Sequence, residues 1–128
     1  MNFKDKNVLI TGASRGIGKA TAMAFAEKGA HVGINFRSNT EEAEKTLKAL
    51  AGEGHHLFQQ DIAEKNGPEA LIHAFVSHYG SLDVLVNNAG ISIFHKIDEV
   101  DFEDWTHAWE GTFKTNLFAV SNMCYLGR

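Results

Sequence analysis

Short apolar runs rich in β-branched residues alternate with longer segments whose apolar positions recur at helical spacing. Repeated strand–helix–strand units produce that alternation, and it predicts a parallel sheet with helices packed on its faces. Asn7–Ile10 reads as the first strand. The segment from Arg15 to about Lys28 carries Ile17, Ala20, Ala24 and Phe25 on a helical period and stops at Gly29, which suits a left-handed helix cap. His31–Asn35 is a second strand. Ser38, with Glu41 three residues on, has the form of a capping box for a helix closing near Ala51–Gly52. A third strand is predicted over His55–Gln60. Pro68 then fits the first turn of a helix running through Leu71, Ile72, Phe75 and Val76 to Gly80. Leu82–Asn87 is a fourth strand, apolar enough to be covered on both faces as an inner strand is. Asp101–Trp105 looks like an acidic helix start, and Thr112–Leu126 is apolar enough for a buried or interface helix. No linker, repeat or low-complexity segment divides the chain, so the expectation is one α/β domain over 1–128. Its sheet is expected to be parallel, doubly wound and of Rossmann type.

Composition narrows the partners rather than the fold. The 128 residues are 44% hydrophobic, sufficient for a single core. A net charge of -4 arises from interspersed acids and bases with no basic stripe, which argues against nucleic acid as a partner. Cys124 is the single cysteine, so no intrachain disulfide can form; within its apolar run it reads as a small buried hydrophobe. The opening Met1–Lys6 lacks the apolar run of a secretory signal, and no stretch approaches the roughly 20 apolar residues that cross a bilayer. A soluble cytoplasmic protein with no membrane partner is therefore expected. The seven histidines are scattered without a metal-binding spacing; His55 and His56 are adjacent and would face opposite sides of a strand. His95 reads as a surface-loop residue or the edge of a substrate pocket.

The chemistry concentrates between the first strand and first helix, at Thr11-Gly12-Ala13-Ser14-Arg15-Gly16-Ile17-Gly18. Glycines there let the chain reverse tightly, let a diphosphate approach the backbone and let the helix pack close to the strand. The helix N-terminus would then present free amides and partial positive charge to that anion. Three strands further on, Asn87-Asn88-Ala89-Gly90 follows the fourth strand directly. In dinucleotide-binding folds an acid near the end of the second strand grips the ribose 2′-hydroxyl of NAD, but this chain reads Asn35-Phe36-Arg37-Ser38. A carboxylate would repel a 2′-phosphate whereas a guanidinium binds it, so Arg37 and Arg15 favour NADP, with NAD as the alternative. Arg37 could equally be a solvated surface arginine.

The Gly-x-x-x-Gly-x-Gly turn and the Asn-Asn-Ala-Gly turn, in this order and on these elements, resemble the short-chain dehydrogenase/reductase family. The closest likeness is to its 3-oxoacyl-carrier-protein-reductase-like branch. The resemblance implies that Gly12, Ser14, Arg15, Gly16, Ile17 and Gly18 line the cofactor phosphates, with Asn88, Ala89 and Gly90 beside the ribose and nicotinamide. Asn88 is also expected to tie neighbouring strands together. Asp61, followed by Ile62, would contact the adenine amino group or, alternatively, cap the next segment. Asn116 is the one member of the catalytic set that the likeness finds, its carbonyl holding a water of a proton relay; otherwise it is a polar residue that bends a helix. Trp105 and Trp109 both precede it, and Trp109 has the better spacing.

Family members use a serine and a tyrosine with a lysine four residues on. Neither Tyr79 nor Tyr125 has that lysine, so the chain is expected to be truncated after the fourth strand and following helices. Its full-length form would move a hydride between NADP(H) and a carbonyl or hydroxyl of a small-molecule substrate, as a homo-oligomer. The alternatives are a nucleotide-binding module without chemistry and, less compatible with Asn88–Gly90, a methyltransferase. In the strand order 3-2-1-4-5-6, truncation would leave strand four as an exposed edge.

Overall fold

The computed structural model describes residues 2–128. Four parallel strands, β1 (Asn7–Ile10), β2 (His31–Phe36), β3 (His56–Gln59) and β4 (Val84–Val86), form one sheet in the order β3-β2-β1-β4. Between and after them run α1 (Gly16–Glu27), α2 (Thr40–Ala49), α3 (Gly67–Tyr79), α4 (Phe102–Phe113) and α5 (Ala119–Leu126). Strand alternation sorts the core into two layers. Val8 and Ile10 of β1 join Val32, Ile34, Ala22 and Ala26 on one face, while Leu9 joins Phe58, Leu71, Phe75 and Met123 on the other. The predicted doubly wound parallel sheet is therefore present. β4 is shorter than predicted because it pairs on one side only, Val8↔Val84 through Ile10↔Val86, and its residues are only half-buried.

Four details differ from the sequence reading. The buried stripe of α1 is Gly18, Ala22 and Ala26, small residues that let the helix approach the sheet, whereas Ile17 is 78% exposed. Ile17, Ala20 and Ala24 instead line an outer groove with Phe3 and Phe25. The cap of α2 is Asn39, whose Oδ1 accepts from the Glu42 amide at 3.1 Å, and not Ser38. That helix stops at Ala49 because Leu50 turns extended and enters the core.

The third difference concerns Thr112–Leu126, which is mostly exposed: only Ala119 and Met123 are buried, and Leu117 and Phe118 face solvent. It continues α4 through a π-helical turn, Lys114–Phe118. Lastly, Cys124 is exposed rather than buried, since Met123 takes the inward position and the next side chain falls about 100° round the helix. Among the described residues, no helix is long and apolar enough to cross a membrane.

Candidate functional site

At the carboxyl ends of the strands lies a cleft of about 480 Å³, built around the turn from β1 to α1. The turn is held from beneath on both sides. From the β4 side, the Asn88 Nδ2 donates to the carbonyls of Thr11 (3.2 Å) and Gly12 (3.0 Å). The amides of Asn88 and Ala89 in turn donate to Thr11 Oγ1 at 3.1 and 3.0 Å. From the β2 side, Asn35 is 2% exposed and uses every polar atom of its side chain. Its Oδ1 accepts from the Gly12 amide at 3.4 Å, and its Nδ2 donates to the carbonyls of Phe58 and Gln60, both at 3.1 Å. The Ala13 amide donates to the Asn35 carbonyl at 2.9 Å. Amides 12 and 13 are thus consumed inside the fold, and the free donors lie further along.

Those free donors are the opening amides of α1. Arg15 is extended and gives no side-chain cap, and the first helical bond runs from the Lys19 amide to the Arg15 carbonyl. Among the described residues the amides of Ser14, Arg15, Gly16, Ile17 and Gly18 have no partner, and the helix dipole adds to the positive potential there. The glycines are needed for different reasons. Gly12 has φ +62°, and a Cβ there would stand 2.8 Å from the Ala89 Cα; Gly16 has φ +59° with open space around it. At Gly18 the constraint is close packing alone, against the Gly12 carbonyl and the Asn88 side chain.

Ten of the residues singled out from sequence line this cleft: Gly12, Ser14, Arg15, Gly16, Arg37, Asp61, Ile62, Asn88, Ala89 and Gly90. Ile17 and Gly18 do not; the first side chain points outward and the second residue lies beneath the turn. Arg15 and Arg37 are exposed, and among the described residues neither pairs with a carboxylate. Asp61 accepts from the Ala63 amide at 2.9 Å, a local turn, and also lines the cleft, while the following helix α3 has Asn66 at its N-cap.

Sequence reasoning passed over Asn39, Gln60, Ile91 and Thr115, which also line it. Only their adjacency to marked residues could have signalled them.

Asn116 sits on the π-helical turn just outside. Its Oδ1 accepts from the Ile91 amide at 2.8 Å and its Nδ2 donates to the Ile91 carbonyl at 2.7 Å. It thereby pins the loop after Gly90 and also borders a neighbouring groove with Ser92, Ile93, His95 and Trp109. His95 packs edge-on against Trp105, with centroids 4.9 Å apart. Tyr79 lies at the opposite end of the sheet. Its hydroxyl donates to the carbonyls of Gly54 (2.7 Å) and Val32 (3.3 Å), and burial pushes its pKa up to about 12, the wrong direction for a proton relay.

Comparison with known proteins bears on the family and the fold. The profile described as short chain dehydrogenase matches residues 6–127. A 3-oxoacyl-(acyl-carrier-protein) reductase from Staphylococcus aureus is 38% identical over 119 residues, covering 91% of this chain and 47% of the relative. Among solved structures, a short chain dehydrogenase from Burkholderia cenocepacia in complex with NADP superposes with a TM-score of 0.83 at 29% identity, over 99% of this chain and 51% of that one. An NADH-dependent reductase complexed with NAD gives 0.80 at 29% identity, over 98% and 52%. The chain spans about half the length of the curated relatives it matches.

Proposed function

The chain belongs to the short-chain dehydrogenase family of oxidoreductases, and from that premise we propose that its cleft binds a nicotinamide dinucleotide, NADP in preference to NAD. One observation carries the reading. An uncapped helix N-terminus, two guanidiniums without a carboxylate partner among the described residues and the Asn88–Gly90 turn border a single cleft. The residues fit the group: amides 15–18 would hold the diphosphate, the Arg15 and Arg37 side chains the 2′-phosphate, and Asp61 and Ile62 the adenine, with Ala89 and Gly90 towards the nicotinamide. When bound, the coenzyme supplies a hydride donor or acceptor for a carbonyl or hydroxyl substrate. Asn116 serves by fixing the Ile91 loop and, through a main-chain carbonyl in the π-helical turn, by holding a relay water.

Hydride transfer is proposed for the whole protein. The 128 residues by themselves bind coenzyme without turnover, because neither tyrosine has a lysine four residues on and Tyr79 is tied up at the far end of the sheet. Fluorescence titration tests the binding. NADPH is expected to bind more tightly than NADH, and R37A to narrow the difference roughly tenfold, the worth of a charge-assisted bond. Failure to bind either coenzyme overturns the reading, and turnover of a ketone by the 128-residue chain overturns its second half.

A further inference from the structure

Thr46 lies in the middle of α2, fully buried, and its hydroxyl ignores its own helix. Thr21, Thr106 and Thr112 all donate to the carbonyl four residues back, the ordinary habit of a helical threonine. Thr46 instead donates across 32 residues to the Ser14 carbonyl at 2.6 Å. Ala43, one turn earlier on the same face, is also fully buried, so that stretch of helix is anchored against the fold.

The consequence follows from the planarity of the peptide unit. In a trans peptide the C=O and the next N–H point in opposite directions, and among the described residues there is no cis bond. Holding the Ser14 carbonyl toward α2 therefore sends the Arg15 N–H away from α2. Gly12 and Ala13 have already given their amides to Asn35, whereas the Ser14 and Arg15 amides, next along the turn, have no partner among the described residues. We infer that Thr46 is a positioning residue for the coenzyme diphosphate, setting the direction of the Arg15 amide through the Ser14 carbonyl. This rests on the dinucleotide reading above.

The test is a titration of NADPH fluorescence with displacement by ADP-ribose and by adenosine, alongside melting temperatures. T46S keeps the hydroxyl and is expected to match the unsubstituted chain. T46V keeps the volume and removes the donor; it is expected to weaken NADPH and ADP-ribose about fivefold, the scale of one hydrogen bond, and to leave adenosine unchanged. If T46V does not fold, T46A carries the same comparison with a smaller side chain. Unchanged ADP-ribose affinity, or equal losses for ADP-ribose and adenosine, overturns the assignment to the diphosphate. An unsubstituted chain that binds no NADPH overturns the nucleotide reading itself, and the inference with it.

Discussion

At Gly18 the place a Cβ would occupy is already taken: the Gly12 carbonyl oxygen lies 2.5 Å away, the Asn88 Nδ2 2.6 Å and the Ala13 Cα 2.8 Å. Two of these atoms are backbone, and the third is held by bonds to Thr11 and Gly12, so none can yield cheaply. G18A is expected to cost about 3 kcal/mol through overpacking. At Gly16 nothing stands within 4 Å, so G16A pays only for its left-handed backbone, about 1–2 kcal/mol. Urea unfolding of the two variants checks the ranking, and the reverse order would mean that the turn relaxes where the contacts say it cannot. These residues were legible in the sequence because their chemistry is local: a tight turn needs glycine wherever it occurs. Asn35 and Thr46 were not read as supports, since Asn35 meets its acceptors at Phe58 and Gln60 and Thr46 its own at Ser14 only after folding.

Pairs of elements carry a pH dependence that single residues do not. The rings of His56 on β3 and His78 on α3 stack with centroids 4.1 Å apart, against Phe58 and Tyr79. Burial first, and the charge on His78 second, lower the His56 pKa below its ordinary 6.5. The unfolded chain therefore takes up a proton that the folded chain refuses. Stability is intact above about 6.5 and is lost as pH falls through that value toward the folded pKa. Asp83 acts in a more acid window. The Asn7 amide, and then Lys6, hold its carboxylate below the usual range, so its contribution is present above about 3.8 and lost on further acidification.

Melting temperature is thus expected to fall between about pH 7.5 and about pH 5.5, and H56Q to flatten that slope. A slope unchanged in H56Q would assign the effect elsewhere. The same scale explains what sequence reading misplaced. The number and order of elements followed from hydrophobic period, but the buried face of α1 was set by which side chains are small enough for close approach. The α2 cap fell one residue late for a similar reason, because the Asn39 oxygen and not that of Ser38 reaches a free amide. The π-helical turn at Lys114–Phe118 leaves no mark on the period at all.

On the scale of the whole molecule, polar atoms and apolar surface are left over on the same side. β4 bonds only to β1, Val84, Leu85 and Val86 are half-buried, and the neighbouring Asn87 Oδ1 is buried with no partner among the described residues. An unpaired buried acceptor costs about 1–3 kcal/mol, and an open apolar ladder edge is a template for another strand. The α4–α5 rod separately exposes Trp109, Phe113, Leu117 and Phe118. Both surfaces favour association of the 128-residue chain, but among the described residues only the edge lies beside a buried side-chain oxygen without a partner. We therefore expect concentration-dependent self-association through β4, seen as a rising sedimentation coefficient. L117E would leave it intact, because Leu117 is on the helical face and 51% exposed there. Dissociation by L117E would move the contact to the helices, and a monodisperse monomer at all concentrations would mean that the β4 edge is protected by its own twist and neighbours.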